Sequence, residues 1–249
     1  MDLGISGRVS LVLGASKGLG RAIATELSAE GARVAVAART LDGLEGVVAD
    51  TGAIPFAHDN ADLDLVPALV EEVERALGPI EILITNTGGP PARPDALSHP
   101  RAEWELAHRT LVLAPMALAE AVVPGMRERG WGRIVNVASW AVREPAPNLM
   151  LSNSHRSAML AAFKTLARQL ASSGITVNSV LPGRFATDRI YELSGGREAA
   201  EEVGRTEVPL GRLGTPDEFA AAVAFLCSGR ASYITGVGLL VDGGLSRLV

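Results

Sequence analysis

The sequence predicts an α/β fold, doubly wound, with a central parallel sheet of about seven strands. Two observations carry that expectation. Short, near-continuous apolar runs rich in β-branched residues recur along the chain, and longer alanine- and leucine-rich segments alternate with them. A parallel sheet covered on both faces leaves its strands no water-facing side, so such runs lack the in-and-out alternation of a half-exposed sheet.

The strand candidates, in order, are RVSLVL (8–13), RVAVAA (33–38), the weaker AIPFA (53–57), EILIT (81–85), RIVNVA (133–138), ITVNSVL (175–181) and GLLVD (238–242). Helix candidates between them cover 18–30, 62–77, 101–129, 149–172 and 215–227. Gly31, Gly78 with Pro79, and Gly174 stand where helices of those lengths must stop. The stretch 185–212 shows no clear period and holds a Gly-Gly pair, which reads as a mobile substrate flap and not as a linker. Residues 1–249 therefore read as a single domain, at about the 250-residue size one core supports.

Bulk composition excludes several classes. A hydrophobic fraction of 47% supplies a full core, while a formal net charge of -5 leaves no basic excess to follow a phosphate backbone, so nucleic acid is not an expected partner. The lone Cys227 forms no internal disulfide or cysteine-based zinc cluster, which fits a cytoplasmic location. The N-terminus lacks a signal peptide's basic start and cleavage site, and no run of about eighteen consecutive apolar residues predicts a membrane span. His58, His99 and His108 have no metal-site spacing, and no metal is expected.

Strand 8–13 runs into GASKGLG and then into a helix. Gly14, Gly18 and Gly20 allow close approach of the backbone to a pyrophosphate, with Ser16, Lys17 and Leu19 completing the loop and the helix N-terminus offering free N–H groups. This is the start of a Rossmann arrangement. The second strand ends Ala37, Ala38, Arg39, Thr40, without the acid that holds an NAD ribose; Arg39 and Lys17 suit a 2′-phosphate, so NADP is expected ahead of NAD.

Together with TNTGG at 85–89, Ser139 after a strand, Pro182-Gly183 and VDGG at 241–244, the glycine loop makes nearly the whole chain resemble the short-chain dehydrogenase/reductase family. It is similar in particular to the family's 3-oxoacyl carrier-protein reductases. The resemblance implies that Asp59 and Asn60 contact adenine, that Asn86 to Gly89, with Asn86 and Gly88 in contact, border the cofactor ribose, and that Pro182, Gly183 and Thr187 place the nicotinamide. Asp59 can equally be a turn carboxylate. Leu13, Thr87 and Gly89 depart from the usual residues. The resemblance also implies a homodimer or homotetramer, with helix 149–172 and the C-terminal segment as candidate interfaces.

In that family a serine polarises the substrate carbonyl, a tyrosine thirteen residues on donates the proton, and a lysine four residues further supports the tyrosine and holds the ribose. Counting from Ser139 gives Ser152 and Arg156. The i, i+4 geometry is retained while the chemistry changes. A serine hydroxyl can hold an oxygen but has no ionisation near neutrality, and an arginine can fork onto ribose hydroxyls without giving up its proton. The helix asparagine of the family falls at Leu111, counted from Trp104. His155 is turned about 100° from Arg156 and reads as an interface histidine, and Tyr191 as an apolar cover in the flap. An ordinary strand-end cap is the other role open to Ser139.

The leading expectation is an NADP-dependent oxidoreductase that transfers a hydride between the nicotinamide and a small carbonyl or alcohol substrate, with Ser139, Ser152 and Arg156 as its catalytic set. The alternatives are a cofactor-binding protein without redox turnover, acting as a sensor or partner subunit, and a non-redox lyase or isomerase on the same scaffold.

Overall fold

The computed structural model describes residues 2–248. Seven strands form one all-parallel sheet: β1 (Val9–Leu13), β2 (Arg33–Ala38), β3 (Ile54–Ala57), β4 (Ile82–Thr85), β5 (Gly132–Val137), β6 (Ile175–Pro182) and β7 (Gly238–Val241), in spatial order β3-β2-β1-β4-β5-β6-β7. Strand order reverses between β1 and β4, so a crevice opens at their carboxyl ends, where open α/β sheets bind ligands. β3 carries Pro55, which is tolerated because an edge strand has a free side.

Alternate strand residues serve opposite faces. Val12, Val36 and Ile84 pack with Ile23 and Leu27 of α1 (Gly18–Ala29), Val47 of α2 (Glu45–Thr51) and Phe219 and Val223 of α9 (Pro216–Cys227). Leu11, Leu83 and Ile134 pack on the other face with Val73 of α3 (Val66–Leu77), Val122 of α5 (Ala114–Arg129) and Phe163 of α6 (Met150–Leu170). Full burial of one such side chain contributes about 1.5–3 kcal/mol. α9 starts with a reciprocal cap: the Thr215 hydroxyl accepts from Glu218 N, and the Glu218 carboxylate accepts from Thr215 N at 2.8 Å.

Two regions differ from expectation. The flap is not irregular: α7 (Asp188–Ser194) and α8 (Arg197–Glu207) fill it, separated by Gly195 and Gly196, both at positive φ. α7 is too short for a period to be legible, α8 is polar and buries only Ala200 and Gly204, and the glycine pair resets the phase between them. Residues 101–129 are continuously helical, as expected, but the helix is not regular: α4 (Arg101–His108) passes through a π-turn at Arg109–Leu113 into α5. This 29-residue helix has a stretch of mean hydropathy 1.4, enough by length and composition to cross a membrane although no unbroken apolar run occurs in it. Leu118, Val122 and Met126 instead spend their apolar surface inside the sheet's core.

Candidate active site

The glycine loop forms where β1 ends. Gly14 and Gly18 adopt φ of 61° and 56°, which side chains disfavour. Gly20 is required by space: a Cβ there would lie 2.6 Å from Asn86 Nδ2 and closer still to the Gly14 carbonyl oxygen. Asn86 Nδ2 donates to that carbonyl at 3.1 Å, tying the end of β4 to the loop. Asn60 extends the tie, donating to Thr87 Oγ1 at 2.7 Å. The α1 N-terminus carries no side-chain cap, so its first N–H groups face the crevice beside Ser16 and Leu19 free for an anion. A backbone cradle closed to any side chain, at a helix start, fits a dinucleotide pyrophosphate.

At the end of β2, Arg39 is exposed, as a 2′-phosphate partner must be. Lys17 does not stand beside it as a second free cation: its Nζ lies 3.3 Å from Asp188 Oδ2 at the start of α7, and both side chains are exposed. The sequence places a carboxylate in the flap but not against the glycine loop, which is why the pairing was not foreseen. Asp59 Oδ1 accepts from Ala61 N at 2.9 Å, the local turn role weighed against adenine contact. Its neighbour His58 is buried, and that burial lowers its pKa despite Asp59 and Asp62 nearby.

Ser139 follows β5 and accepts from Ala141 N at 3.2 Å, so it caps the short turn after the strand and keeps its hydroxyl proton to donate. Ser152 and Arg156 lie one turn apart on α6, and both are buried. Arg156 departs from expectation. Its Nη1 donates to Val137 O at 2.6 Å and its Nη2 to Thr87 O at 3.1 Å, joining the carboxyl ends of β5 and β4, so those donors are not available to a ribose. Burial, and then the nearby Arg189, lower its pKa to about 10. A cavity of about 10 Å³, the space of roughly one water, lies beside it against Leu111, Pro115, Asn136 and Met159. His155 is turned away from Arg156: Nδ1 bonds Leu151 O at 2.7 Å, and the ring packs at 5.6 Å from Trp104 and 5.9 Å from His108. It is buried within the chain by α4, not displayed as an interface side chain.

The flap lies across the crevice. Thr187 caps α7 and meets Gly18, where an added Cβ would touch its methyl carbon at 3.5 Å. Gly183 lies against Asp242, leaving 2.6 Å to Asp242 Cβ for a Cβ of its own, and Pro182 ends β6 beside Val241. Arg189 Nη2 donates to Pro90 O at 2.6 Å, and its guanidinium covers Gly89, with the exposed Gly88 next in the loop. Tyr191 sits under the Arg197 guanidinium. A larger hollow of about 530 Å³ lies along the flap helices around Gly196 and Arg205 and includes none of the site residues expected from the sequence.

A family model described as enoyl-(acyl carrier protein) reductase matches residues 14–246. The chain belongs to the short-chain dehydrogenase/reductase family. A 3-oxoacyl-[acyl-carrier-protein] reductase, FabG, of Haemophilus influenzae is 34% identical over 97% of this chain and 99% of its own. The NADPH-dependent reductase BacG of Bacillus subtilis is 32% identical over 98% and 100%. The structure of L-sorbose reductase from Gluconobacter frateurii complexed with NADPH and L-sorbose superposes with a TM-score of 0.92 at 32% identity, covering all of both chains.

The structure brings Gly14, Gly18, Gly20, Asn60, Asn86, Thr187 and Arg156 to one crevice and connects several of them directly. Sequence reasoning missed Asp188, which takes Lys17, and read Arg189 as a solvated flap cation ahead of a partner for an acidic substrate, whereas it donates to Pro90 O. It also assigned Thr87 no part beyond a departure, although Thr87 accepts from Asn60 and Arg156. The available signal was a cation at 189 and an acid at 188 opening a helix behind Thr187, the usual place for a cap.

Proposed function

We propose that this short-chain dehydrogenase/reductase is an NADP-dependent oxidoreductase that reduces a carbonyl substrate or oxidises the matching alcohol. The observation that carries the reading is the glycine cradle, sterically closed at Gly20 and tied to β4 by Asn86. An NADPH-bound structure of TM-score 0.92 and a relative named as NADPH-dependent support the choice of nucleotide, as does Arg39 in place of an acid. When bound, the cofactor supplies or accepts the hydride. Residues 14, 16 to 20 and 86 to 88 hold its phosphates and ribose, Arg39 its 2′-phosphate, Asp59 and Asn60 its adenine end, and Pro182, Gly183 and Thr187 its nicotinamide end.

Ser139 and Ser152 donate hydrogen bonds to the substrate oxygen, where negative charge develops in reduction. Arg156 keeps the carboxyl ends of β4 and β5 at fixed spacing and adds positive potential to the centre. The proton comes from water in the crevice, because neither serine ionises near neutrality and His155 bonds Leu151 O on its own helix and packs its ring against α4. The whole chain acts as one dinucleotide-binding unit with 185–212 as its substrate flap, in the cytoplasm, as a homodimer or homotetramer.

Fluorescence titration with NADPH and its oxidation with a panel of ketones, 3-oxoacyl thioesters and short oxo acids test the reading. Binding with turnover is expected. A second reading, cofactor binding without turnover, is favoured by the occupied Arg156 donors. It gains if NADPH binds tightly, no substrate is reduced and the double change Ser152→Tyr, Arg156→Lys creates activity from nothing.

A further inference from the structure

Positive charge at the centre of the crevice is left without a carboxylate. Lys17, Arg93 and Arg184, around its edges, are paired with Asp188, Glu103 and Glu207. Arg156 and Arg189 are different: neither forms an ion pair among the described residues, and each donates to one backbone carbonyl of the same loop after β4. Arg156 reaches Thr87 O, and Arg189 reaches Pro90 O three residues on. Carbonyl partners satisfy N–H groups but leave the net charge in place. Two cations on one loop repel each other, and the buried one has lost its hydration as well.

An anion between them relieves both costs. The loop adjoins the end of β5 that leads to Ser139, so the anion belongs to the substrate end of the crevice and not to the glycine-loop end. We propose, resting on the redox reading above, that Arg189 binds a carboxylate carried by the substrate, with Arg156 supplying a fixed positive field. The substrate is then a short oxo acid, and not a neutral ketone or a thioester. A guanidinium matches a carboxylate through two parallel N–H donors, a geometry that a lysine does not reproduce. The position on α7 makes this contact part of flap closure.

Calorimetry on the NADP⁺-loaded protein tests this independently of turnover. The probes are acetoacetate, 2-oxobutanoate and 2-oxooctanoate, each against its methyl ester. At least one acid should bind about 10- to 100-fold more tightly than its ester, the range of a charge-assisted hydrogen bond. Arg189→Gln should bring that acid to the affinity of the ester, and Arg189→Lys should restore only part of the preference. Equal binding of every acid and ester overturns the proposal, as does an acid preference that survives Arg189→Gln. A tenfold loss of NADPH affinity in Arg189→Gln with the acid preference intact assigns the arginine to a cofactor phosphate, and also overturns it. Failure of the redox reading looks different: the acids bind with their preference, and NADPH is not oxidised.

Discussion

Replacing Gly20 with alanine puts a methyl carbon 2.6 Å from Asn86 Nδ2, against the Gly14 carbonyl that Asn86 holds at 3.1 Å. Backbone and amide must both move. Overpacking of this kind costs about 1–3 kcal/mol and loss of the hydrogen bond about 1 kcal/mol. Alanine's better helix propensity at the start of α1 returns about 1 kcal/mol. The net loss of about 1–3 kcal/mol corresponds to a Tm lower by about 2–12 °C at this chain length. Because the Gly14 carbonyl is part of the cradle, the Kd for NADPH should rise by about tenfold or more, equivalent to about 1.4 kcal/mol. Differential scanning fluorimetry and fluorescence titration read the two effects. Gly229→Ala is the control, since its added methyl meets nothing nearer than Leu3 O at 3.8 Å, and its Tm should hold or rise slightly. An unchanged Tm with unchanged NADPH affinity in Gly20→Ala would refute the steric argument for the cradle.

Arg39→Ala should weaken NADPH by about tenfold and NADH by less than about twofold, because only the former carries the charge that an exposed arginine answers. Equal effects on both nucleotides in parallel titrations would remove Arg39 from the 2′-phosphate. Glu103 accepts from Arg93 and His99 at the crevice rim, and the Arg93 guanidinium first, then His99, hold its carboxyl down at about 2. A carboxylate whose folded pKa lies below its unfolded value stabilises the fold above about pH 4.5, and that contribution is lost as pH falls toward 2. Urea melts of the wild type and Glu103→Gln should therefore differ at pH 6 and converge as the pH is lowered through 4; a constant difference down to pH 3 contradicts the pairing.

The sheet was legible because both of its faces are covered. Runs such as RVSLVL have no other stable disposition, and all seven strands fall within a residue of their expected bounds. The glycine loop was legible for a related reason, since few arrangements need Gly14, Gly18 and Gly20 together. Arg156 was half legible: the i, i+4 count put it on the correct face beside Ser152, but a residue type fixes a charge and not the partner that receives its hydrogen bonds. Thr87 O and Val137 O come within its reach only through the pairing of β4 with β5. The Lys17–Asp188 contact joins residues 171 positions apart across the crevice, and no local pattern announces it.

The π-turn at Arg109–Leu113 carries a consequence for how this site can change. One residue beyond the helical period is accommodated there, between α4, which packs against His155, and α5, which is anchored in the core. The widened turn leaves the Thr110 carbonyl to accept from Thr87 Oγ1 at 3.5 Å and sets Leu111 against the Arg156 cavity. Deleting a single residue would close the widened turn to a regular α-helix and return the Thr110 carbonyl to the intrahelical ladder, taking it from Thr87 and moving Leu111 off the Arg156 cavity, while α4 and α5 keep nearly their present registers. The segment is therefore constrained in length more strictly than in composition: substitution exchanges its side chains, but a one-residue gap removes the turn on which this part of the crevice floor rests.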